Sequence, residues 1–334
     1  MNMPDFSLLW PEIFVASMAC LVLLVDLYTD KKRNYVYWLS MTTLVGAALL
    51  TLLIPAPVRT ITMSGTFVAE PLTDVLKMVS YGIVALVFLY SRDYLRVREL
   101  LKGEYFVLGL FGLLGIMVMI SAHNFITLYL GLELLSLSLY AMVAFDRESS
   151  ICAESAMKYF VLGAIASGTL LFGMSLLYGT TGSLDLAEVA TRVTANPGDL
   201  TLMVALAFLL VGIAFKLGAV PFHMWLPDVY HGAPTSTTLY IGTASKIASF
   251  ALVIRLLAEG LVGMEAVWQD MLVVMAVLSL AIGNIVAIAQ TNLKRMLAYS
   301  TISHVGFILL GFVAANTQGY QASLFYTITY VLMA

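Results

Sequence analysis

The chain has 334 residues, of which 61% are apolar and 11% charged, against roughly 45–50% and about 25% in an ordinary soluble domain. Its 17 basic and 20 acidic side chains are too few to keep a soluble surface of this size in water, and a formal net charge of −3 offers no basic field for nucleic acid. Two cysteines, Cys20 inside an apolar run and Cys152 in a short loop, supply neither a disulfide framework nor a CxxC metal pattern.

At roughly 20 residues per span, the sequence predicts an all-α polytopic transmembrane bundle embedded in lipid. Apolar runs bounded by charged or Gly/Pro-containing breaks fall at 6–27, 35–54, 72–90, 105–121, 124–145, 155–178, 200–220, 234–258, 270–290 and 297–315. These are ten full spans. A partial eleventh begins near Tyr320 and is still apolar at Ala334, so the chain reads as cut. Asp5 precedes the first span and Lys31, Lys32 and Arg33 follow it, which predicts a retained helix and not a cleaved signal peptide. Alternate loops collect Lys31, Lys32, Arg33, Arg92, Arg96, Arg98, Lys102, Arg147, Lys294 and Arg295 on one side, with only Arg59, Arg192 and Arg255 on the other. By the positive-inside rule this bias predicts an outside N-terminus. Between the sixth and seventh spans, Leu184, Leu186, Val189 and Val193 alternate with Asp185, Glu188 and Arg192, which predicts a short amphipathic surface helix ended by Asn196-Pro197-Gly198.

An ionisable side chain near the bilayer centre costs about 2.5–3.5 kcal/mol on insertion scales, so it normally faces the protein interior with a partner or a task. Glu133 sits deep in the fifth span, with Ser136 and Tyr140 on the same helical face; its alternative is a helix-packing hydrogen bond from a protonated carboxyl. Lys216 precedes Gly218 and Pro221 in VGIAFKLGAVPFHMWLP, a pattern that breaks the helix near Pro221 and frees carbonyls at membrane depth. Snorkelling to an interface is its competing account. Lys246 lies mid-span beside Thr243, Ser245 and Ser249, whereas Lys158 is one turn from Glu154 and could be either a relay member or half of a surface pair. Lys77 is expected to pair with Asp74 at the outer rim, outside the site. His223, His231 and His304 have no metal-ligand spacing; His223 and His304 suit a proton relay, although a lone histidine in a bundle is more often a hydrogen-bonded core residue.

A desolvated ammonium is disfavoured and a nearby carboxylate restores it, so Glu133 and Lys216 together would form a switch that passes a proton towards Lys246. No dinucleotide fingerprint and no phosphate loop appears in the sequence, leaving ion movement as the visible chemistry.

At these residues the chain resembles the antiporter-like membrane subunits of respiratory complex I, specifically the N-type subunit of NADH-quinone oxidoreductase. The stretches LLWPEIFVASMACLVLLVDL, FITLYLGLELLSLSLYAMVAFDRES, SAMKYFVLGAIASG and AFKLGAVPFHMWLPDVYHGAPTSTTLYIGTASKIASFALVIRLL carry the likeness. The resemblance implies an antiporter-like fold of fourteen helices with two inverted repeats, helices four to eight and nine to thirteen, each holding one broken helix. It implies a division into 1–104, a first repeat at 105–260 and an incomplete second repeat at 261–334, the chain being C-terminally truncated relative to the family. Such a lone first repeat is expected not to pump. By motif, Glu133, Lys158, Lys216 and Lys246 correspond to the family's glutamate of helix five and lysines of helices six, seven and eight, a proton-transfer chain driven by quinone reduction in other subunits. The resemblance further implies no cofactor or redox chemistry in this chain, with flavin, iron-sulfur clusters and quinone in partner subunits of a complex in the bacterial cytoplasmic membrane. A cation/proton antiporter subunit outside complex I and a structural membrane scaffold remain the alternatives.

Overall fold

The computed structural model describes residues 6–28, 34–196 and 198–334. Helices α1 (Trp10–Tyr28), α2 (Asn34–Leu53), α3 (Pro71–Val97), α4 (Gly103–Ile120), α5 (Phe125–Val143) and α6 (Ser150–Thr181) come first, with a hairpin of β1 (Thr60–Thr62) and β2 (Phe67–Ala69) between α2 and α3. They are followed by α7 (Leu186–Ala195), α8 (Leu200–Leu217), α9 (Trp225–Gly232), α10 (Thr235–Gly242), α11 (Ala244–Val253), α12 (Glu265–Ile288), α13 (Leu293–Val313) and α14 (Thr317–Met333). Among the described residues, 10 segments are long and apolar enough to cross a membrane, one for each predicted span, with Thr235–Gly260 counted once. The eleventh run is α14. The basic loop residues Lys31, Lys32 and Arg33, together with Asp5 and Pro197, lie outside the described residues.

Three local features depart from the expectations. The hairpin is a small exception to an all-helical chain: Thr60-Ile61-Thr62 pairs antiparallel with Phe67-Val68-Ala69, and Met63, Ser64 and Gly65 make the turn at positive φ. Cys152 lies buried in the first turn of α6 and not in a loop, because the helix already starts at Ser150. The expected amphipathic segment is α7, with Leu186, Val189 and Val193 buried and Asp185 accepting the amide hydrogens of Ala187 and Glu188.

Helix starts are set by side chains that take orphan backbone donors. Asn124, Asp199, Asn292 and Asn316 cap α5, α8, α13 and α14, and a Glu70/Thr73 capping box with Pro71 in the first turn opens α3. Buried hydroxyls inside spans bond back one turn, as Ser40 does to Val36, Ser80 to Leu76 and Ser245 to Ile241, each at 2.8 Å. A polar atom thereby stays satisfied where no water reaches.

Two compact units divide the chain. The first comprises 1–152 and 234–248, the second 153–233 and 249–334. In the first, α4 and α5 meet through glycines: a Cβ on Gly115 would lie 2.7 Å from the Gly131 carbonyl oxygen, and one on Gly131 would lie 2.8 Å from the Met119 amide nitrogen. Only glycine allows this backbone approach. α10 is held to the same pair by hydroxyls, Tyr240 donating to the Gly109 carbonyl at 2.8 Å and Thr237 to that of Met142 at 3.0 Å. In the second unit, Gly212 on α8 sits against Leu170 of α6, Gly283 and Gly306 bring α12 and α13 together, and α14 docks on α13 through the Tyr330 hydroxyl on Thr301 Oγ1 at 2.8 Å.

Gly131→Ala is expected to destabilise the full-length subunit by about 1–3 kcal/mol, since the added methyl meets the Met119 amide nitrogen and the Gly115 carbonyl oxygen as well as the Met119 side chain. An unchanged melting temperature in detergent would show that α4 and α5 can separate at no cost.

Candidate functional site

Within the second unit, the expected interruption is present at the expected place. α8 ends at Leu217 with Gly218 in the left-handed region at φ 78°, and its amide bonds the Ala214 and Phe215 carbonyls. The chain then crosses 218–224 without helix and resumes as α9. The break is internally satisfied to a degree the sequence did not announce. The Trp225 indole N–H donates to the Phe215 carbonyl at 2.9 Å, and the Val220 amide donates to Ser279 Oγ at 2.9 Å. Trp225 also stacks on Tyr159 with ring centroids 4.6 Å apart. Lys216, in the last turn of α8, is buried at 6% exposure, which removes the snorkelling alternative.

A second interruption, in the first unit, has no proline to signal it. α10 ends at Gly242, Thr243 leaves helical geometry, and α11 restarts at Ala244; the Lys246 amide bonds the Thr243 carbonyl at 2.9 Å. Lys246 is 1% exposed, among buried Thr243, Ser245 and Ser249. Lys216 and Lys246 thus both stand within a turn of a place where the helical ladder is broken. Glu133 is half-buried on α5, with buried Ser136 and half-buried Tyr140 one and two turns further along the same helix.

Lys158 resolves differently. Its side chain is 44% exposed and its ammonium lies 2.8 Å from Glu154 and 3.0 Å from Asp228. Asp228, on α9, also accepts from Arg295 of α13 at 2.7 Å. The surface pair expected for Lys158 is therefore present, extended into a network that joins α6, α9 and α13 through one carboxylate. Sequence reasoning missed Asp228; the available signal was an acid following Pro227 at the start of a short helix. Lys294 donates to the Ala233 carbonyl at 2.8 Å, a further tie at the end of α9.

His223, His231 and His304 belong to the second unit. His223 lies in the break with its ring 6.5 Å from that of Tyr299. His304 Nδ1 is 2.7 Å from the Tyr326 hydroxyl, and its ring is 4.8 Å from Tyr330. Among the described residues no cluster of His, Cys, Asp or Glu could hold a metal ion.

Two expected placements are corrected. Lys77 is buried at 2% exposure and pairs at 2.6 Å with Glu12, not with Asp74, whose carboxylate instead accepts the Ala56 amide at 2.9 Å. The partner comes from α1, which sequence proximity could not reveal. Arg255, counted above with the outer loops, is 1% exposed in a π-helical segment, Ile254–Gly260, and pairs with Glu259.

Residues 122–334 match the family described as NADH:quinone oxidoreductase/Mrp antiporter, TM. NADH-quinone oxidoreductase subunit N of Thioalkalivibrio sulfidiphilus is 60% identical over 336 residues, an alignment covering 100% of this chain and 70% of the relative. Among solved structures, a chain of respiratory complex I from Thermus thermophilus with bound aureothin is similar at TM-score 0.81 and 31% identity, over 96% of this chain and 68% of that one. A chain of the Mrp complex from Dietzia sp. DQ12-45-1b shares the fold at TM-score 0.84 and 23% identity, over 97% of this chain and 36% of that one. With a broken helix, two interior lysines and a half-buried span glutamate already placed, these likenesses mean that the chain belongs to the antiporter-like membrane subunits of NADH-quinone oxidoreductase, as a member of the subunit N family.

Proposed function

We propose that the chain translocates protons as a membrane subunit of NADH-quinone oxidoreductase, among the other membrane subunits of that complex, in the bacterial cytoplasmic membrane and with its N-terminus outside. The observation that carries this reading is the burial of Lys216 and Lys246 at 6% and 1% exposure, each beside an interruption of its helix. An ammonium held in an apolar interior is poised between its charged and neutral forms, and a small change in nearby charge decides which one prevails. Backbone groups released at a break supply oriented dipoles at the same depth.

In this reading Glu133, Lys158, Lys216 and Lys246 are the intramembrane relay, with His223 and His304 as further proton-accepting groups. Asp228 holds Lys158 and the second half of the broken helix in place. Flavin, iron-sulfur clusters and quinone belong to partner subunits, whose quinone reduction supplies the drive. The division into 1–104, a first repeat at 105–260 and second-repeat helices at 261–334 belongs to the same reading and follows helix order, not the compact units.

Lys216→Ala in the full-length subunit is expected to cut coupled NADH:quinone turnover and proton pumping of the assembled complex several-fold. Wild-type pumping by that variant would remove Lys216 from the relay. Sodium transport by the subunit alone in vesicles would point to a cation/proton antiporter, and Lys246→Leu that disturbs only assembly would point to a scaffold.

The pairs at Asp228 are solvent-screened and individually weak, so their effect is chiefly positional. Asp228→Asn is expected to lower turnover with little loss of assembled complex, and Asp228→Glu to restore most of it. Equal activity of both variants would show that the charge at this position does nothing.

A further inference from the structure

Glu12 and Lys77 take no part in the relay above, yet they form the most deeply buried ion pair of the first unit described here, with side-chain exposures of 8% and 3%. Glu12 lies in the first turn of α1 and Lys77 in the second turn of α3, at the end of the unit where Ser121 closes α4 and Asn124 caps α5. Glu133 is about 12 Å further along α5, at 1.5 Å per residue from Phe125. Lys77 Nζ is 2.6 Å from Glu12 Oε1, and Ser121 Oγ approaches the same oxygen at 3.5 Å. Oε2 of that carboxylate is buried and has no hydrogen-bond partner among the described residues.

The hairpin covers this pair. The Phe67 ring lies 5.2 Å from Lys77 Nζ, the Val68 amide donates to the Ser121 carbonyl at 2.8 Å, and the His123 amide donates to that of Thr66 at 3.1 Å. Asp74 and Tyr81 on α3 and His123 after α4 are the other titratable groups near the pair; Tyr81 shares a hydrogen bond with Thr51 of α2 at 3.2 Å, and α2 itself carries no charged residue. Arg59 and Glu70, 3.8 Å apart, lie at the more exposed rim of the hairpin.

We propose that Glu12 and Lys77 are a second proton-exchanging pair of this subunit, in addition to the relay, loading and discharging at the hairpin end of the first unit. Packing alone does not call for these charges, because a buried ion pair is generally replaceable by apolar side chains without loss of stability. The unpartnered oxygen defines where a proton goes. Protonation forms an O–H bond at Oε2 while Lys77 stays on Oε1, taking the pair from net zero to +1; the proton comes from water at the hairpin end, and its departure restores the ammonium–carboxylate pair. As a step in pumping, this rests on the function proposed above.

The test uses the assembled complex carrying the full-length subunit, in sealed vesicles. The double variants Glu12→Gln/Lys77→Met and Glu12→Gln/Lys77→Gln keep the packing but remove the carboxylate that takes the proton. Both are expected to assemble at wild-type levels and to lose protons moved per electron; wild-type pumping by either overturns the proposal. In the unsubstituted complex, dicyclohexylcarbodiimide, which reacts with protonated carboxyls in apolar surroundings, is expected to label Glu12 increasingly as pH falls. Absence of label across the pH range overturns the proposal even where the variants fail to assemble. Lys216→Ala measured alongside separates the two readings: if it pumps normally the relay fails, while the labelling of Glu12 still decides whether this pair takes up protons.

Discussion

Every backbone donor and acceptor at membrane depth must find its partner inside the protein, and most of this structure follows from that constraint. An unbroken helix meets it automatically. A broken one does not, and the interruption after Lys216 shows what is required instead. Gly218 folds back on the last turn of α8, the Trp225 indole takes the Phe215 carbonyl, and Ser279 of α12 takes the Val220 amide. Each of those side chains is committed to backbone that a continuous helix would have satisfied at no cost. A chain keeps such an arrangement where a lysine benefits from lying beside an opened ladder.

The same constraint sorts the charges by their surroundings. Moving a charge to the bilayer centre costs about 2.5–3.5 kcal/mol, whereas a net hydrogen bond returns about 0.5–1.5 kcal/mol, so one neutral contact does not compensate an interior ion. Three solutions occur. Glu12 with Lys77 and Arg255 with Glu259 are buried opposite-charge pairs. Lys158, Glu154, Asp228 and Arg295 share a partly exposed network in which water and geometry both contribute. Lys246 sits on a helix segment rich in buried hydroxyls, Thr243, Ser245 and Ser249.

What the sequence made legible was whatever has a local signature. Apolar run length located all ten spans, Pro221 and Gly218 located the break, and the alternation of Leu186, Val189 and Val193 located α7. What stayed hidden depended on residues distant in the chain. Lys77 has an acid one turn away in Asp74, and that proximity misled, because Asp74 is occupied by the Ala56 amide while Glu12 arrives from another helix. Arg255 looked like a loop charge because its hydrophobic run ends three residues later; its partner Glu259 lies one turn on in the same helical segment. The interruption at Thr243 had no proline, and Gly242 alone is common in membrane helices. The role of Asp228 could not be read from its neighbours, since both cations it holds lie on other elements.

The identity of each buried cation then separates structure from chemistry. Arginine stays protonated at any pH a protein meets, so Arg255 with Glu259 is a fixed pair that can hold the π-helical turn but cannot pass a proton. Lysine has no such restriction: desolvation brings its neutral form within reach, and a carboxylate that approaches or withdraws selects between the two. Lys216 and Lys246, the lysines of the proposed relay, are both buried. Were their task only to hold helices together, arginine with its fork of donors would serve at least as well. A side chain able to surrender its charge is the better choice where protons have to move.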